Sequence, residues 1–254
     1  MIDLHIHPEN WGVKPVLFHI NNLEIPSYSF FVLLGLIVGL IYYYFAAKKE
    51  NNLNDNSIYI LVAGLLGGVI GAKLPILIIN FPLILENNFN LALILSGRTI
   101  TGGLLGGTLT IWYVKKKLGI KEKKGNLFAP GIALGVAIGR IGCFLEGCCY
   151  GIATNLPWGV NFGDGINRHP TQIYEIIFMT LLFFVLLYKK KTAQPGYLFY
   201  LLMNSYFIFR FFEEFIRDNP HYFGLTLFQY ISLIALVFIN LKHLKEKKYG
   251  QSKS

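Results

Sequence analysis

The chain has 254 residues, is 54% hydrophobic, only 15% charged, and carries a formal net charge of +9. Soluble domains usually hold about 25% charged residues, and several apolar runs here exceed the roughly 18 residues that mark a bilayer span, which excludes an ordinary soluble α/β domain. The positive charge does not point to nucleic acid, because the lysines flank apolar runs, the orientation signal of membrane proteins.

The stretch from Met1 to Pro26 has no basic region followed by an apolar one, so no cleavable leader is expected. Seven spans follow, at residues 27–47, 57–81, 99–117, 127–149, 171–188, 196–216 and 225–241. The fold class expected is all-α: one polytopic membrane domain over 1–254, with an extracytoplasmic segment 1–26 and a basic cytoplasmic tail 242–254. The apolar stretch 90–95 is too short to cross and reads as re-entrant or interfacial.

Lysines follow the first span (Lys48, Lys49), the third (Lys115 to Lys117, Lys121, Lys123, Lys124), the fifth (Lys189 to Lys191) and the seventh (Lys242, Lys245, Lys247, Lys248, Lys253). All these clusters come after odd-numbered spans, so they share one face, which the positive-inside rule makes cytoplasmic. The N-terminus is then outside and the C-terminus inside. The five arginines behave in the opposite way: Arg98, Arg140, Arg168, Arg210 and Arg217 fall near outer span ends or in outer connections. Arg140 and Arg210 lie within apolar segments, where an ionised group faces a partner, a polar cavity or a ligand. Pairing with Glu146, Glu213 or Glu214 for structure alone is the plainer alternative. Glycines four apart, such as Gly35/Gly39, Gly67/Gly71, Gly102/Gly106 and Gly131/Gly135, predict close helix packing.

The densest polar segment runs from Gly139 to Gly151, where Arg140, Glu146, Cys143, Cys148 and Cys149 share a few helical turns with several glycines. Arginine is the side chain best shaped to grip a phosphate through two hydrogen bonds. A second segment places Arg210, Glu213, Glu214 and Arg217 three or four apart, so most can share one helix face. A third, from Arg168 to Glu175, opens the fifth span, with Thr171 as a candidate cap and Glu175 suited to the positive helix start. The three cysteines are not a disulfide framework. They read first as small apolar residues packed in a helix; the other readings are Cys148 or Cys149 as an acceptor, a covalent intermediate or a redox pair, and all three as metal ligands, for which their spacing is a poor zinc pattern. No metal and no cofactor is expected.

These segments resemble the prolipoprotein diacylglyceryl transferase family. The stretch around Gly139-Arg140 is similar to the family's glycine-arginine signature, Tyr28 begins the first span, Gly97-Arg98-Thr99-Ile100-Thr101-Gly102-Gly103 opens the third, His169-Pro170-Thr171-Gln172-Ile173-Tyr174-Glu175 resembles a family stretch, and Tyr206 to Arg217 resembles its last motif. The resemblance implies a transferase of the bacterial plasma (inner) membrane with two partners: phosphatidylglycerol or another anionic phospholipid, and a lipoprotein precursor peptide whose cysteine is alkylated as glycerol phosphate leaves. It implies catalytic roles for Arg140, Arg210, Glu214 and position 101. Substrate binding is implied for Tyr28, Gly102, Gly103, Cys143, Glu146, Gly151, His169, Tyr206 and Arg217. The sequence departs from the family where a histidine is replaced by Thr101, an asparagine by Cys143 and a glutamate by Cys148. Glu146, His169 and a thiolate at Cys148 are candidate substitute bases. A lipid-binding relative without catalysis and an anion transporter are the competing functions.

Overall fold

A computed structural model describes residues 11–21, 23–86, 88, 89, 91 and 97–251, with backbone alone for 246–251. It is mostly helical. In order the helices are α1 (Ser27–Lys49), α2 (Asp55–Ile79), the short α3 (Phe81–Glu86), α4 (Ile100–Lys117), α5 (Gly125–Glu146), α6 (Thr171–Lys189), α7 (Tyr197–Glu213) and α8 (Leu227–Gln251), with a 3-10 turn at Glu214–Ile216 after α7. Five stretches are long and apolar enough to cross a membrane: α1, α2, α5, α6 and Leu227–Lys245 of α8. Three small antiparallel hairpins join them: β1 (Val16–Ile20) with β2 (Leu23–Pro26), β3 (Val160–Asn161) with β4 (Asn167–Arg168), and β5 (His221–Tyr222) with β6 (Leu225–Thr226).

Local chemistry sets the helix ends. The Asn54 side chain accepts from Ser57 N at 3.0 Å to cap α2, and Thr99 Oγ1 accepts from Gly102 N at 3.2 Å to cap α4. The lysines in the last turn of α4 complement its negative end. At Gly147 the chain turns left-handed, with φ of 76°, so α5 stops at Glu146, short of the expected residue 149. The sixth expected span tightens into the 3-10 turn over its last residues. The last helix instead runs ten residues past the expected end at 241, to Gln251, because residues 242–249 contain no glycine or proline to stop it. The apolar stretch 90–95 lies almost wholly outside the described residues.

Helix α1 lies along α5, α2 along α4, α6 along α5, and α8 along α7. The glycine spacing does what it predicts. A Cβ at Gly39 would lie 2.9 Å from Gly131 O, and one at Gly67 2.7 Å from Gly106 O, so both seams are closed at backbone distance. The main core joins Ala129, Ala133 and Ala137 of α5 to Met179, Leu182 and Leu186 of α6 and Leu198 and Leu202 of α7. Large apolar side chains point outward, among them Phe45, Leu66, Val69, Ile78 and Phe238. Such a surface suits hydrocarbon and not water.

The bundle has two unlike ends. At one, the N-terminal hairpin, the end of α5 and the loop after it meet. Lys14 N donates to Leu145 O at 2.9 Å, Gly12 N to Phe162 O at 2.6 Å, and Ile152 N to Ile216 O at 2.9 Å. At the other, lysines tie helix ends together: Lys190 lies 3.0 Å from Glu50, and Lys124 Nζ donates to Asn54 Oδ1 at 2.6 Å.

Candidate active site

The arginines of the first end are buried and ion-paired. Arg140, on α5, lies 2.6 Å from the fully buried carboxylate of Glu175 on α6. Arg210, near the end of α7, donates to Glu213 at 2.5 Å and also to Glu214. Arg217 approaches the same two carboxylates at 3.7 and 3.8 Å. Helical spacing brings Arg210 and the two glutamates together. The turn after α7 then swings Arg217 back over them. Glu214 is held in turn by Thr226 Oγ1 at 2.7 Å and by Asn219 Nδ2 at 2.9 Å. Gln229 secures Thr226 by accepting from its backbone N–H at 2.8 Å. The Arg210 guanidinium sits 5.2 Å from the centre of the Phe228 ring, a favourable cation–π arrangement.

Two cavities meet at this cluster. The larger, about 1740 Å³, runs between α1, α2, α4 and α5, and its lining includes Tyr28, Gly103, Arg140 and Cys143. The smaller, about 30 Å³, is lined by Arg98, Thr101, Arg140, Tyr206, Arg210 and Arg217, among others. It has room for a water or two. Arg98, Arg140 and Cys149 line both. Arg140 and Arg210 therefore share a cavity, and Arg140 links it to the larger one. Three guanidiniums facing three carboxylates (Glu175, Glu213, Glu214) balance in charge; Arg98 adds a fourth cation at the junction. Arg140 Nε has no hydrogen-bond partner, nor has Arg217 Nη1, so buried donors remain open to a ligand.

Other expected residues lie elsewhere. Gly102 closes the α2–α4 seam, where a Cβ would lie 3.0 Å from Pro75 Cδ. Gly151 is wedged between His169 and the 3-10 turn: it bridges to Arg217, and a Cβ there would lie 2.8 Å from His169 Cβ. His169 lines neither cavity; its Nδ1 is 3.1 Å from the Tyr174 hydroxyl, which accepts from Trp158 Nε1 at 2.8 Å. Glu146, half-buried at the end of α5, lines neither cavity. Glu214 reaches the cavities through Arg210. Arg168 pairs with Asp164 at 2.7 Å, and its hydrogen bond holds that carboxyl below the usual carboxylate range.

The structure corrects three details of the sequence reading. Arg140 pairs with Glu175 and not with the sequence-near Glu146. Glu175 is no helix-start charge but the buried partner of that arginine. Thr171 does not cap α6; its hydroxyl donates to Cys149 O at 2.6 Å, while Gln172 Nε2 donates to Cys148 O at 2.6 Å. Sequence reasoning passed over Arg98 and Glu175 as site residues. The signal for Arg98 is its place in the Gly97–Gly103 segment, and that for Glu175 its place at the end of the His169–Glu175 segment.

The segment after Arg140 folds back on itself. The sulfurs of Cys143, Cys148 and Cys149 lie within 4.8 Å of one another, and Arg140 Nη1 points at Cys143 Sγ from 3.6 Å.

Comparison with known proteins gives a consistent answer. Residues 15–242 match the family described as prolipoprotein diacylglyceryl transferase. A phosphatidylglycerol–prolipoprotein diacylglyceryl transferase of Clostridium tetani is 37% identical over 235 residues, covering 89% of this chain and 94% of that relative. Proteins of the same name from Finegoldia magna and Geobacter sulfurreducens are 34% and 32% identical, covering 91% and 84% of this chain and 96% and 85% of those relatives.

Proposed function

This chain belongs to the prolipoprotein diacylglyceryl transferase family, and on that premise we propose that it moves a diacylglyceryl group from phosphatidylglycerol to the cysteine thiol of a lipoprotein precursor in the bacterial plasma membrane. The proposed topology is seven spans in a single membrane domain, residues 1–26 outside and 242–254 in the cytoplasm. The grouping of lysines at one end of the bundle and buried arginines at the other supports it.

In this reading the lipid lies in the large cavity, whose walls include Val32, Leu36, Leu104 and Ile132, side chains suited to acyl chains. Its phosphate meets Arg140 and Arg210. The acceptor sulfur, a thiolate once its proton has passed to solvent, attacks the glycerol carbon that bears the phosphate. A C–S bond forms, the C–O bond breaks, and the electron pair leaves with the phosphate oxygen as glycerol phosphate. Charge grows on that oxygen in the transition state. Fixed guanidiniums in a water-poor site stabilise it more than they stabilise the starting diester. Glu213, Glu214 and Glu175 hold the guanidiniums in place. Tyr28 and Tyr206 contact the head group, with Thr101 beside Tyr206 and Gly103 leaving the lipid room to approach. Arg217 supports Arg210 through the shared carboxylates. Gly102 and Gly151 contribute by packing, while His169 and Glu146 lie outside both cavities.

The observation that carries this reading is that Arg140 and Arg210 line one small cavity, which joins the large one at Arg140. Its test is incubation of the purified protein with labelled phosphatidylglycerol and a lipobox peptide. Thioether formation with release of glycerol phosphate is the expected result. Retention of the lipid without turnover would overturn the enzymatic reading.

A further inference from the structure

We infer that Cys143, Cys148 and Cys149 form a site for a thiophilic metal ion of the zinc class, whose remaining coordination position takes the thiol of the acceptor peptide. The inference rests on the transferase reading for the acceptor, but the metal site itself stands on geometry.

In sequence the three thiols match no zinc spacing. In space they converge, because the chain reverses twice. Gly147 ends α5 with φ of 76°, and Cys149 takes φ of 63°, a left-handed backbone that a non-glycine residue adopts at an energetic penalty and that is found at functional sites. The reversal is fastened from outside. Thr171 Oγ1 and Gln172 Nε2 each bond a cysteine carbonyl at 2.6 Å, and Cys148 N donates to Cys143 O at 3.1 Å. The three sulfurs then lie within 4.8 Å of one another. Zinc–sulfur bonds of about 2.3 Å in a tetrahedron set sulfurs roughly 3.8 Å apart, so closing on an ion needs side-chain shifts of about an ångström or less.

The surroundings suit such an ion. All-sulfur donors select soft metals. Three thiolates and a divalent ion leave one negative charge, and the Arg140 guanidinium, 3.6 Å from Cys143 Sγ, lies beside it. Three protein ligands leave a four-coordinate ion one position to fill. Cys143 and Cys149 both line the large cavity, so that position is reachable from the lipid side. A thiol that coordinates there gives up its proton to solvent. The bound thiolate is the nucleophile; on attack its sulfur forms the C–S bond, the C–O bond breaks towards the phosphate, and the thioether product leaves the metal. This activation needs no imidazole at position 101, where this chain has threonine.

The test is metal analysis of the full-length protein in detergent, prepared with zinc chloride and dialysed, together with transferase assays. Close to one zinc per chain is expected, falling at least fivefold in Cys148→Ser and Cys149→Ser. Replacement by cobalt should give the sulfur-to-cobalt charge-transfer absorption of thiolate ligation. Stripping the metal should lower thioether formation at least tenfold, with recovery on adding zinc chloride. Cys149→Ser is the variant least able to disturb the fold, being only part-buried, and retained thermal unfolding shows that it is folded. A folded wild-type protein that binds less than a tenth of an equivalent overturns the site. Tight zinc binding with turnover indifferent to stripping overturns the acceptor role. A protein that binds zinc through these thiols but never forms thioether sinks the transferase reading and leaves the metal site standing.

Discussion

The two ends of the bundle use positive charge in opposite ways. At the lysine end the cations are mostly exposed and pair across helix ends, as Lys190 does with Glu50. At the arginine end Arg140 and Arg210 are 6% and 4% exposed and face carboxylates that are as deeply buried. The exposed lysines need only water or lipid head groups nearby, and Lys124, the buried one, is held by Asn54 and Ser57. Buried guanidiniums need partners, and residues of α5, α6, α7 and α8 and of the segment between α7 and α8 are arranged around them. Exposed pairs contribute little to stability, whereas removing one member of a buried pair leaves an uncompensated charge. The contrast predicts where substitutions hurt.

The largest effect belongs to Arg140. Arg140→Ala should lower thioether formation by about 10²-fold or more, as expected for losing one preorganised donor to a developing anion, and strand Glu175 at about 3–5 kcal/mol in stability. The paired change Arg140→Met with Glu175→Leu separates the two, since apolar replacement of a buried pair is close to neutral. Thermal unfolding should recover towards wild type, and activity should not. Next comes Arg210→Lys. A lysine cannot serve Glu213, Glu214 and a phosphate at once, and turnover should fall by roughly tenfold or more, the equivalent of about 1.4 kcal/mol. Gly71→Ala should destabilise without touching the chemistry. Its Cβ would lie 2.7 Å from Gly106 Cα, an overpacking of about 1–3 kcal/mol visible as a lowered unfolding midpoint. The smallest effect is at the lysine end: Lys190→Gln should leave turnover unchanged and alter stability by less than about 1 kcal/mol. A large activity loss there would break the comparison.

Much of this was legible in the sequence, for reasons of period and length. The apolar runs gave the long helices, the glycines four apart gave the faces that pack closely but not which helices meet there, and the helical spacing of Arg210, Glu213, Glu214 and Arg217 gave one half of the cluster. Local patterns are the ones a sequence carries openly. The partner of Arg140 was not legible, because Glu175 lies 35 positions on, and only the packing of α6 against α5 brings it there. The meeting of the thiols was hidden by the positive φ at Gly147 and Cys149, which spacing does not encode. The length of α8 was missed because hydropathy marks where an apolar run ends and not where a helix does.

The most direct measurement is equilibrium retention of labelled phosphatidylglycerol against phosphatidylcholine by wild type and by the folded Arg140→Met, Glu175→Leu variant. Buried guanidiniums that seat an anionic head group predict a wild-type preference for the anionic lipid that the variant loses. A variant that unfolds at the wild-type temperature and still prefers phosphatidylglycerol to the same degree would contradict the account.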